Sequence, residues 1–127
     1  MLLPISLMIQ FAGVGSGTVG GVGTYGQRFG LAPTNSTNRT YYWGNGGPNV
    51  AGAQATANMC ISAGQCYLNG VADATASGSF TGSNPCHILR ANGLTGITTG
   101  YVRAVGYKTG SLTGAQVAAA YAAMAAL

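Results

Sequence analysis

Carboxylate side chains are almost absent from this sequence. Its 127 residues include one acidic side chain, Asp73, against five Lys and Arg residues, so the formal net charge at pH 7 is +4. Catalysis by paired carboxylates and carboxylate cages for calcium or magnesium therefore cannot arise within one chain. The bases are scattered rather than clustered, which does not favour nucleic acid as a partner. They are Arg28, Arg39, Arg90, Arg103 and Lys108.

Histidine is equally scarce, since His87 is the only one. It follows Cys86, and adjacent strand residues point to opposite faces, so the two side chains do not form a catalytic dyad. The Cys and His spacings fit no zinc finger or haem-attachment pattern, and no nucleotide-binding or nucleophile-elbow motif occurs. We therefore predict a protein that is not an enzyme and has no cofactor and no metal site.

The cysteine count is odd, with Cys60, Cys66 and Cys86, so at least one thiol is free or paired between chains. On one extended strand Cys60 and Cys66 would lie about 20 Å apart, too far for a disulfide. Either the strand breaks at Ala63-Gly64, or Cys86 pairs with one of them. The alternative is three small buried side chains without any bond.

Charged residues make up 5% of the chain, and glycine alone accounts for 22 residues. Small side chains bury little area, so a monomer of this size would have a weak core. We therefore predict an obligate homo-oligomer.

Residues 1–12 predict an N-terminal strand that is too short to span a bilayer as a helix. Ile5, Leu7, Ile9 and Phe11 alternate with polar or smaller residues and share one face. Residues 13–35 are glycine-rich and predict either a flexible arm or an extended segment lying close to another backbone.

Residues 36–110 predict an antiparallel sheet. The stretch 39–43 (RTYYW) is rich in strand-forming residues, and alternation from 53 to 81 surrounds Asn69-Gly70. Asn-Gly favours a two-residue turn, which would pair Leu68 with Val71 and Cys66 with Asp73. Helix at 51–63 is the rival reading.

The segment 86–109 predicts a three-stranded meander with a second Asn-Gly at 92–93. On its last strand the alternating positions are predicted to share one face. These are Tyr101, Arg103, Val105 and Tyr107.

Residues 111–127 predict a C-terminal Ala-rich helix capped by Ser111 or Thr113. Val117, Tyr121 and Met124 form a stripe on it. We expect the apolar faces of the first strand and of this helix to include assembly contacts. The candidates are Ile5, Leu7, Ile9, Phe11, Val117, Tyr121 and Met124.

The predicted fold is one mainly β domain, an antiparallel meander or sandwich-like sheet with a glycine-rich N-terminal arm and a short C-terminal helix. The order of these elements resembles that of single-stranded RNA phage coat proteins, in layout only. We predict a structural subunit that assembles into a virion component (coat, decoration or fibre) or an extracellular filament. Its partners would be copies of itself and other virion or fibre proteins, and its location the virion or the extracellular space.

The alternative is a surface or fibre-tip module, adhesin-like and carbohydrate-binding, in which Tyr41, Tyr42 and Trp43 stack on sugars. Asn35 and Asn38 each begin a match to the N-glycosylation pattern and are candidate modification sites.

Overall fold

The chain forms two antiparallel sheets and one helix. A computed structural model describes residues 5–15, 18–22, 28–44, 47–77, 86–91 and 100–127. Within these residues the elements are β1 Ile5–Ala12, β2 Thr18–Val22, β3 Arg28–Asn35, β4 Asn38–Gly44, β5 Asn49–Ala51, β6 Ala57–Ser62, β7 Gln65–Leu68, β8 Val71–Thr75, β9 Cys86–Ala91, β10 Tyr101–Thr109 and α1 Gly114–Ala125. The first sheet has the order β10-β1-β6-β7-β8 and the second the order β5-β4-β3-β2-β9. The predicted mainly β class, with antiparallel sheets and a C-terminal helix, is confirmed.

Strand β1 lies inside the first sheet, between β10 and β6. Its alternation explains this position, because Leu7, Ile9 and Phe11 are at most 1% exposed and join the core between the two sheets. Met8 points to the opposite face and belongs to a separate cluster beneath the helix. A strand that is apolar on both faces is stable only when both are covered.

The second sheet contributes the aromatic part of the core. Tyr41 and Trp43 of β4 and Leu31 of β3 are buried against Met59 and Ile61 of β6. The predicted strand at 39–43 is confirmed, and its alternation places the side chains of Tyr41 and Trp43 inside the sandwich while Tyr42 is half-buried.

The glycine-rich segment contains strands rather than only an arm. Strand β2 pairs with β3 on one side and with β9 on the other. Gly20 and Gly21 of β2 oppose Leu31 and Gly30 of β3. Of the two readings of this segment, the extended one beside another backbone is the one that the structure bears out.

The strand breaks at Ala63-Gly64, as one of the two alternatives for the cysteines predicted, and both residues there have positive φ values of 47° and 88°. Strands β6 and β7 therefore form a hairpin of their own. The next turn is the predicted one: Asn69 and Gly70 have φ values of 49° and 80°, and Leu68 pairs with Val71. The helical reading of 51–63 is wrong.

The two described strands of the predicted meander at 86–109 lie in different sheets, β9 in the second and β10 in the first, which does not fit a single meander; the strand predicted between them lies outside the described residues. Hydrophobic alternation shows that a segment is a strand but does not specify its neighbour. The second Asn-Gly, at 92–93, lies outside the described residues.

Helix α1 begins where the sequence predicts. Thr113 is its N-cap and forms a reciprocal capping box with Gln116. Val117 is fully buried against Met8, Cys60 and Tyr67 on the outer face of the first sheet. The helix is thus held by packing rather than by its own propensity.

Candidate functional site

The most polar cluster in the described part of the chain joins the two sheets. Arg39 of β4 donates from Nε and Nη2 to the two carboxylate oxygens of Asp73 on β8, both at 2.6 Å. Its Nη1 donates to the carbonyl oxygens of Ala51 and Gly52 at 2.7 and 2.9 Å. The Tyr41 hydroxyl donates to Asp73 at 2.8 Å.

A β-bulge brings Asp73 to this position. Tyr67 pairs with Ala72 and Cys66 with Ala74, so Asp73 is the extra residue on β8. The predicted pairing of Cys66 with Asp73 is wrong by one residue for this reason. The bulge interrupts alternation, and both Asp73 and its neighbour Ala74 face the sandwich interior.

The electrostatics of this cluster suit a structural role. The hydrogen bonds from Arg39 hold the pKa of Asp73 below its ordinary value, although partial burial opposes this. The same pair raises the pKa of Arg39, and burial raises the pKa of Tyr41. At neutral pH the groups are therefore fixed as carboxylate, guanidinium and phenol. None of them titrates near pH 7, as an acid–base catalyst would need.

The cysteines lie on different faces of the first sheet. Cys66 belongs to the core between the sheets and Cys60 to the cluster beneath the helix, so they do not face each other. Both thiols are free and buried, and burial raises the pKa of each to about 12. They are therefore poor nucleophiles and metal ligands. The side chain of Cys86 lies outside the described ones. Because Cys60 and Cys66 are free, neither is its partner, and only a bond to another chain stays a prediction for it.

The two candidate glycosylation sites flank one hairpin turn. Asn35 pairs with Asn38 across the turn formed by Ser36 and Thr37, which are exposed. Thr40, the hydroxyl residue of the second site, is 4% exposed and donates to Asn49. The side chain of Asn35 is not among those described.

Most of the candidate assembly residues are covered by their own chain. Leu7, Ile9 and Phe11 lie in the core between the sheets, and Val117 of α1 is buried between the helix and the first sheet. Tyr121 and Met124 are half-buried, and the side chain of Ile5 is not among those described. An assembly surface must therefore be sought among other residues.

Strand β10, at the edge of the first sheet, carries three of the large apolar side chains that are exposed among the described residues. Tyr101, Val105 and Tyr107 are 63%, 43% and 61% exposed, respectively. The pairing passes from Gln10 with Ala104 to Phe11 with Val102, so Arg103 is the extra residue of a bulge.

This bulge corrects the predicted face of β10. Val105 pairs with Ile9 and Tyr107 with Leu7, so both lie on the core-facing side of the first sheet. Tyr101 lies beyond the bulge and pairs with Ala12. The four residues predicted to share one face therefore do not all do so. The exposure of these side chains is visible only in the folded sheet, because hydrophobicity in the sequence does not distinguish an exposed apolar residue from a core residue.

Other kinds of site find little support. A pocket of about 140 Å³ lies beside β1 and β10 on the helix side, below the roughly 300–1,000 Å³ of usual small-molecule sites. Among the described residues, no three His, Cys, Asp or Glu side chains are grouped as metal ligands would be. No helix in the described ranges is long and apolar enough to cross a membrane.

Comparison with known proteins adds no assignment: no family model, curated protein or solved structure matches the chain.

Proposed function

We propose that this protein is a non-enzymatic structural subunit that assembles with copies of itself into a virion component or an extracellular filament. The observation that carries the proposal is the exposed apolar edge of the first sheet, at Val105 and Tyr107. Soluble monomers normally protect such edges with charge, short strands or cover. Of its five basic side chains, Arg103 and Lys108 stand on β10 itself, but neither lies between Val105 and Tyr107, and the single acidic side chain is bound to Arg39.

Three further features support assembly over catalysis. The one carboxylate is fully engaged with Arg39 and Tyr41, and both described cysteine thiols are buried. The surface of α1 carries no charged residue along its 12 residues. A subunit whose surface has few charges relies on neighbours to keep its apolar groups from water.

The carbohydrate-binding alternative loses two of the three aromatic residues on which it rested. The rings of Tyr41 and Trp43 are 0% and 1% exposed, so they offer no stacking surface to a sugar. No other described feature favours that alternative over assembly.

The test is the native mass of the purified chain across micromolar concentrations, by light scattering, together with negative-stain electron microscopy. We expect oligomers at every concentration, and particles or filaments in the images. Closed particles would indicate a virion component and open rods a filament. A monomer that is folded by circular dichroism at micromolar concentration would refute the proposal.

A further inference from the structure

The edge strands whose side chains the structure describes, β5, β8 and β10, are not equally open to another strand. Strand β5 has three residues, and β8 is interrupted in its middle by the bulge at Asp73. Short strands and bulges are devices that discourage edge-to-edge pairing. Strand β10 has nine residues, and its bulge at Arg103 leaves 104–109 in regular register with β1.

The regular part of β10 extends the core-facing side of the sheet. Because Tyr107 pairs with Leu7 and Val105 with Ile9, the two exposed side chains continue rows of buried apolar residues. Between them Gly106 pairs with Met8 on the other face. The edge therefore presents an apolar pair on one face, with glycine at its centre.

We propose that this edge binds the same edge of a second copy, antiparallel and centred on Gly106, so that residues 104–108 of the two copies pair. This proposal rests on the proposed function, since it names the contact through which subunits join. A two-fold axis through Gly106 sets Val105 of each copy opposite Tyr107 of the other. Aromatic and β-branched residues form favourable cross-strand pairs. The interface is self-complementary, as two-fold contacts must be.

Register favours a second copy in this alignment. Lys108 lies opposite Ala104, so no two like charges stand directly opposite each other, which would be destabilising. Centring on Val105 instead would set Tyr107 against the bulged Arg103. Centring on Tyr107 would set Val105 against Thr109. Only the alignment on Gly106 pairs both exposed apolar side chains with each other.

Disulfide trapping between two different variants tests this register. Directly opposite strand residues have Cα atoms about 4.5–5.5 Å apart, within the range that a disulfide requires, whereas diagonal neighbours are about 7–8 Å apart. We expect V105C mixed with Y107C to give a cross-linked dimer under mild oxidation. Either variant alone should give no more cross-linked dimer than the wild type. The wild type is the control for disulfides that the native cysteines form between chains.

A charge variant provides a second measurement. Y107K places a charge inside the proposed contact, while Y101K places the same charge on the same strand but outside the paired residues. We expect Y107K to weaken self-association at least about tenfold, and Y101K to change it less than about twofold.

The outcomes separate the two proposals. If wild type is oligomeric but the mixture gives no excess cross-link, or Y107K associates as wild type does, the β10 contact is wrong and the subunit proposal stands. Efficient cross-linking of V105C alone would overturn the register by centring it on Val105. A monomeric wild type would refute both proposals. If that monomer binds an acidic strand of another protein, the partner of the β10 edge is that strand and not a second copy.

Discussion

Replacing Asp73 by Asn removes the negative charge from the inter-sheet ion pair while keeping the shape of the side chain. Asp73 accepts three hydrogen bonds, two from Arg39 at 2.6 Å and one from Tyr41 at 2.8 Å. Asn offers a single acceptor oxygen, and its amide would face the donors of the guanidinium. The variant therefore leaves Arg39 without its counter-charge.

The expected loss of unfolding free energy is about 3 kcal/mol at pH 7. Removing one partner of a buried ion pair costs about 3–5 kcal/mol, because the remaining charge stays desolvated. The side chains of Arg39 and Asp73 are 11% and 13% exposed, and Arg39 keeps two carbonyl acceptors. Both facts place the cost at the lower end of that range.

The pH dependence gives this prediction its sharpest test. The pKa of Asp73 is lower in the folded than in the unfolded chain, where it is about 3.9. Its stabilisation is therefore complete above that value and is lost as the pH falls through the folded pKa. No other acidic side chain exists to titrate in this range. The wild type should lose its advantage over D73N below about pH 4.

The assay is urea denaturation of both proteins at equal concentration, from pH 7 to pH 2, because oligomers have concentration-dependent stability. T75A, on the exposed side of the same strand, is the control and should stay within about 0.5 kcal/mol of wild type. A D73N loss below about 1 kcal/mol at pH 7, or an undiminished loss at pH 2, would show that the ion pair does not stabilise the sandwich.

Three further changes have defined outcomes. G70V should cost at least about 1–3 kcal/mol in urea denaturation, because Gly70 has φ of 80° and a Cβ there would lie 2.9 Å from Tyr121; a normal midpoint would contradict the turn. V117A should lose about 2 kcal/mol from the packed helix, measured the same way, and an unchanged stability would mean that the helix contact is weak. In the native protein at pH 8 the buried thiols of Cys60 and Cys66 should resist alkylation and react on unfolding; rapid native labelling of either would contradict their burial.

The parts of the fold that the sequence predicts are those governed by local chemistry. The alternation in β1, the positive φ values of Asn69 and Gly70 and the capping box at Thr113 and Gln116 each depend on nearby residues only. Their physical causes are visible in the sequence because each involves a few neighbouring positions.

The parts that the sequence does not predict depend on distant partners. Strand β9 pairs with β2, and β10 with β1, across long stretches of chain. Alternation cannot distinguish these partners, since any apolar strand face can pack on any other of suitable size. Which arginine binds Asp73 is likewise hidden, because Arg39 and Asp73 lie on strands of different sheets.

Bulges explain the remaining differences and bear directly on assembly. Asp73 and Arg103 are each the extra residue of a bulge, on β8 and β10, which are the two edges of the first sheet. A bulge shifts alternation by one position, so pattern-based assignments fail beyond it. At Asp73 the bulge divides a strand of five residues, whereas at Arg103 it leaves 104–109 regular. The position of one bulge thus interrupts the β8 edge, and the position of the other leaves most of β10 regular, as the proposed contact requires.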